Sequence, residues 1–220
     1  MHENIFLFYI METSLTVKNI VLIGEFQPSK FDKYYFLKNN IFEEHEISEE
    51  SLFTSDFTIV TAKGFNLTIV ANQLVLNEIE PKVENTMADL VTKILSTSSF
   101  LGSGFGINLH WYLFSGDKTN EVAKKYFYNE NSVLNTFFNE ENVSYGTYLS
   151  KDFGNSRLKL DIKPATVVTI DSQIEQKIIS FGFNFHTDLK GEDFKSNIFK
   201  SLSEFKDYIN ETIKIISLYE

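Results

Sequence analysis

A chain of 220 residues with 43% apolar content can bury a sizeable core and is not a disordered segment. Its 20 basic against 30 acidic residues leave a net charge of −10, and no Lys/Arg cluster is available to track phosphates. Nucleic acid and anionic membrane surfaces are therefore disfavoured as partners. The absence of cysteine excludes disulfides, thiolate metal sites and thiol catalysis.

The first apolar run, Ile5 to Met11, has no Lys or Arg before it and is too short to span a bilayer. It does not have the form of a secretion signal, Met11 is an alternative start, and a cytoplasmic protein is expected. Val17 to Phe26 reads as a strongly apolar central strand. Pro28 suits a helix start, and Phe31, Tyr34 and Tyr35 form a short helical stripe after it. The acidic stretch Glu43 to Glu50 reads as a solvated connector. Three strands are expected next, at 56–62, 65–71 and 73–79, with Gly64 and Asn72 in the turns. Pro81 then opens a helix to about Ser96, and Gly102-Ser103-Gly104 reads as a hinge into a strand over 105–114. A helix over 117–127, a shorter one over 133–138, and strands at 143–149, 157–163, 166–170 and 176–189 follow. One long helix from Glu192 to Leu218 closes the chain, with Phe194, Ile198, Leu202, Phe205, Ile209, Ile213 and Ile216 as its apolar stripe.

Set side by side, the halves agree in order. Each reads β-α-β-β-β(-β)-α, with hairpins joining the strands. The expected fold is α+β: a duplicated β-α-β-β-β-α unit forming an antiparallel sheet with helices packed on one face. A single domain of two pseudo-repeats, about 12–98 and 103–220, is implied.

One pattern occurs twice. Phe105-Gly106-Ile107-Asn108-Leu109-His110 followed by Leu113 returns as Phe181-Gly182-Phe183-Asn184-Phe185-His186 followed by Leu189. Alternation places Asn108, His110 and Tyr112 on one strand face, and Asn184, His186 and Asp188 on the equivalent face of the other. Were the strands neighbours, two imidazoles and a carboxylate could converge on a polar cleft able to bind a small molecule or do acid–base chemistry. The alternative is that the repeat preserves strand pairing alone. No third ligand has metal-site spacing, so no metal or other cofactor is expected. Gly102 to Gly106 precedes a strand, not the helix a phosphate loop needs. Asp152-Phe153-Gly154 lacks the segments that accompany it in kinases. Three glycosylation sequons, at Asn66, Asn142 and Asn210, carry no weight in a cytoplasmic chain. No linear motif supports an enzyme.

The twice-used element order resembles the duplicated layout of TATA-binding-protein-like folds. The DNA-reading Phe pairs and basic surface of that family have no counterpart here. Gly24-Glu25-Phe26-Gln27-Pro28, together with the FGINxH-type strands at 105–110 and 181–186, also resembles a bacterial protein family without an assigned activity. That likeness implies a fold and no chemistry. The leading expectation is a non-enzymatic accessory module that binds a protein partner, as in bacterial defence or toxin–immunity systems. The alternative is a small-molecule-binding protein or hydrolase built around His110 and His186.

Overall fold

The computed structural model describes residues 12–62, 64–79, 86–168, 174–189, 191 and 193–219. Nine strands form one antiparallel sheet: β1 (Glu12–Glu25), β2 (Leu52–Phe53), β3 (Phe57–Ala62), β4 (Phe65–Val70), β5 (Gln73–Glu78), β6 (Leu101–Phe114), β7 (Thr147–Phe153), β8 (Ser156–Val168) and β9 (Glu175–Asp188). Their spatial order is β2-β3-β4-β5-β1-β6-β9-β8-β7. The long strands β1 and β6 meet at the centre, paired from Glu12↔Phe114 to Glu25↔Leu101. Outward from this seam the order is β5-β4-β3 on one side and β9-β8-β7 on the other. Each trio is a hairpin meander that runs from the sheet edge inward.

The helices are α1 (Lys33–Lys38), α2 (Thr86–Thr97), α3 (Thr119–Phe127), α4 (Phe194–Ser203) and α5 (Phe205–Ile216). The α+β class and the antiparallel sheet expected from the alternating strands are both present. Alternation decides which face the helices cover. Ile20, Leu22, Leu67, Leu76, Ile107, Leu109, Phe183 and Phe185 are at most 1% exposed and share one face of the sheet. Val91, Ile94 and Ile198 from the helices are fully buried with them. Each such side chain contributes roughly 1.5–3 kcal/mol through burial. Aromatic contacts knit the layer together: Phe26 stacks on Phe100, Phe100 meets Phe194 edge to face, and Tyr208 meets both Phe153 and Phe185. Gly64 takes positive φ in the turn where it was expected. Gly154 does too, in the short turn between β7 and β8, so the Asp152-Phe153-Gly154 tripeptide is a hairpin end.

Several elements depart from the sequence reading. Gly102-Ser103-Gly104 is not a hinge but part of β6, with Ser103 unpaired at a register shift against Ile23 and Gly24. The backbone passes so close here that a Cβ on Gly24 would lie 2.2 Å from the Leu101 carbonyl oxygen. The strands expected at 157–163 and 166–170 are one strand, β8, running through Pro164. Proline is tolerated because β7 pairs with β8 only as far as Thr147↔Ile162, so beyond that point β8 is itself the sheet edge. β7 starts at Thr147, not Val143. The closing helix breaks at Glu204, whose φ of −94° and ψ of 10° are not helical. The apolar run Ile5 to Met11 and the helix start expected at Pro81 lie outside the described residues.

Candidate functional site

The two FGxNxH segments lie on neighbouring strands, β6 and β9, and pair with each other. Their register is Asn108↔Asn184 at the centre, with Gly106↔His186 and His110↔Gly182 on either side. A local twofold axis thus passes between the two asparagines, and each histidine faces the glycine of the other copy. A Cβ on Gly182 would lie 3.7 Å from His110 Cε1, and one on Gly104 would lie 3.5 Å from His186 Cε1. Small residues leave the floor on which the imidazoles rest. The recurrence in sequence is therefore a cross-strand complementarity.

The same register keeps the imidazoles apart. His186 is four residues along β9 from Gly182, the partner of His110, a separation of about 13 Å at the rise of a strand. No single ligand's inner shell spans that distance, so the expected convergence of His110 and His186 does not occur. Each belongs to its own small network. His186 Nε2 lies 2.9 Å from Asp188 Oδ1. Its neighbour on β8 is Arg157, which donates to Ser150 Oγ and to Asp152 Oδ1. His110 is held below its ordinary titration range chiefly by burial, with Lys163 adding to the effect and Asp161 opposing it. Tyr112 stands beyond His110 on the same face, edge-on to Phe114. Among the described residues no three His, Asp or Glu side chains are grouped to hold a metal ion.

What the register does assemble is a row of asparagines. Across five adjacent strands on the face away from the helices, Asn66 (β4) pairs with Asn77 (β5), Asn77 with Asn19 (β1), Asn19 with Asn108 (β6), and Asn108 with Asn184 (β9). All five are half-buried. Asn184 Nδ2 donates to Asn108 Oδ1 at 2.5 Å, and Asn108 Nδ2 donates to Asn19 Oδ1 at 2.6 Å. Asn66 Nδ2 donates to Thr61 on β3 at 3.2 Å. Each carboxamide has two donors and an acceptor with two lone pairs, more hydrogen-bonding capacity than these bonds use. The sequence reading found Asn108 and Asn184 through their repeat. It missed Asn19, Asn66 and Asn77, whose only common property is a place in the sheet register.

The same face is poor in charge. From β3 through β4, β5, β1 and β6, leaving aside the strand ends at Glu12 and Glu25, it carries no Asp, Glu, Lys or Arg. Lys18 and Glu78 lie on neighbouring strands but turn to the helix side, where they form a 2.5 Å ion pair. Charge returns on the far flank, with Asp188 at the end of β9, Arg157, Lys159, Asp161 and Lys163 on β8, and Asp152 on β7.

No helix among the described residues is long and apolar enough to cross a membrane. No protein-family model matches the chain, and no curated protein matches it significantly.

Proposed function

We propose that the chain is a non-enzymatic protein-binding module and that the face of its sheet away from the described helices is the contact surface. The observation that carries this reading is the charge-free stretch of that face in a chain of net charge −10. Depletion of charge at the centre of an exposed surface is the compositional mark of an interface core. Val17, Val21 and Ile23 on β1, with Val70 on β4 and Val75 on β5, supply an apolar floor on either side of the asparagine row. Five strands about 4.8 Å apart and about six residues long give a surface of roughly 20 by 24 Å, the scale of one partner's share of a standard interface core. Amide side chains with unspent donors and acceptors suit peptide groups and polar side chains better than a phosphate backbone. The scarcity of cations on these strands also favours a protein over a nucleic acid.

The test is co-purification from the native cell with three tagged proteins: wild type, Val21→Arg, and Lys30→Glu on the helix side. A stoichiometric protein partner should come with wild type and Lys30→Glu, and be lost with Val21→Arg while the fold is retained by circular dichroism. Recovery of no stoichiometric protein with any of the three would sink the reading.

A further inference from the structure

The segment linking α3 to β7 presents apolar side chains to solvent and polar ones to itself. Val133 and Phe137 are 84% and 81% exposed, the two highest values for large apolar residues among those described, with Leu134 at 57% and Phe138 at 55%. Ordinary surface loops have the reverse arrangement. The segment is nevertheless closely built. Tyr128 and Tyr145 meet edge to face at 5.2 Å and close its neck. Asn135 Nδ2 lies within hydrogen-bond reach of Tyr128 Oη and the carbonyls of Asn129 and Glu130, drawing the apex back onto the neck. Ser132 Oγ accepts from the Leu134 amide and opens a 3-10 turn over Val133–Thr136. The amides of Phe137 and Phe138 both donate to the Leu134 carbonyl at 2.9 Å. Internal hydrogen bonds thus fix the backbone so that Val133, Leu134, Phe137 and Phe138, at positions i, i+1, i+4 and i+5, project outward. Little ordering entropy is left to lose on contact.

Charge indicates what would receive them. Between Tyr128 and Gly146 the chain carries Glu130, Glu140 and Glu141 and no Lys or Arg. We propose that this loop is a preorganised docking knob that inserts Phe137 and Phe138 into an apolar groove of a partner protein rimmed by Lys and Arg. A second copy of this chain is a poor recipient. It carries the same net charge, and its apolar groove between β7 and α5, lined by Leu149, Leu160, Ile215 and Leu218, has Lys151 and Lys214 beside it already paired with Glu211. The inference concerns a different surface from the sheet face and does not require it.

The test places a photo-crosslinking benzoyl-phenylalanine at position 137 of the full chain in the native cell and sequences the peptide it captures. The purified captured protein is then titrated against wild type, Phe137→Ser/Phe138→Ser, Glu140→Lys/Glu141→Lys and Val21→Arg. All four substituted loop side chains are exposed, so the loop variants should keep the wild-type melting temperature. The proposal expects at least tenfold weaker binding for the Phe pair and at least threefold weaker binding for the Glu pair, the latter effect fading as salt is raised. Capture of only a second copy of the chain overturns it, as does no capture at all. Equal affinity of either loop pair and wild type also overturns it. A partner lost with Val21→Arg yet kept by both loop pairs would leave the sheet-face reading standing and remove this one.

Discussion

His110 shows how one side chain's environment follows from its strand neighbours. Its ring lies over Gly182, the one residue type without a side chain, and is half withdrawn from water on a face where only Lys163 and Asp161 of β8 bring charge near. Burial disfavours the imidazolium, Lys163 reinforces this, and Asp161 offsets part of it. The folded protein therefore takes up this proton at a lower pH than the unfolded chain, whose ordinary value is 6.5. Between those two values the unfolded state binds more protons. The contribution is present in full above the ordinary value and is lost as pH falls through the folded one. The Cε1 proton resonance of His110 should titrate with a midpoint below 6.5. In urea unfolding, His110→Gln should lose less stability than wild type between neutral and mildly acidic pH. Parallel curves for the two proteins would mean that burial does not act on this group as described.

At the scale of elements, the closing helices show where periodicity stops being informative. The apolar stripe in the sequence placed Ile209 and Ile213 in the core. The structure buries Tyr208 and Thr212 more deeply, at 1% and 0% exposure, while Ile209 packs against the core only partly buried and Ile213 is left 45% exposed. The break at Glu204 lets α5 rotate relative to α4, and hydroxyl groups fix the rotation. Trp111 Nε1 donates to Thr212 Oγ1 at 2.9 Å, and Tyr208 Oη lies 3.2 Å from Ser156 Oγ, which is 2.7 Å from Thr187 Oγ1. A buried indole N–H left without an acceptor costs about 1–3 kcal/mol. Thr212→Val, which raises hydrophobicity, should therefore destabilise by about 1–2 kcal/mol, while Ile213→Thr, which lowers it, should stay within about 0.5 kcal/mol of wild type. Chemical denaturation of both variants checks the pair. The opposite ranking would show that the stripe read from sequence governs α5.

For the whole molecule the decisive feature is the β1–β6 seam, where the two halves share one continuous ladder. A fragment ending at Ser98 would leave the whole length of β1 without its β6 partner, and a fragment starting at Leu101 would do the same to β6. Long unpaired edges template association. Each half expressed alone should be insoluble or self-associated, while the full chain unfolds in one step. Trp111, the single tryptophan, lies on the seam opposite Leu15, so its fluorescence reports the junction directly. Its unfolding transition should coincide with that followed by far-ultraviolet circular dichroism. Two separated transitions would show that the halves are independent folding units.

The sequence by itself determined the α+β class, the antiparallel strand pairing by hairpins and the buried face of β4, β6 and β9, because alternation and turn residues are local properties of the chain. It also exposed Asn108, His110, Asn184 and His186 as a repeat. Only the tertiary structure decided what that repeat is for, since register between strands depends on how the whole sheet aligns. That alignment separated the two histidines by about 13 Å and lined Asn19, Asn66 and Asn77 up with the other two asparagines. It also left, between the strand ends, a charge-free stretch across β3, β4, β5, β1 and β6 on one face of an acidic chain. A residue's partners across a sheet are tens of positions away in sequence, and no local period encodes them.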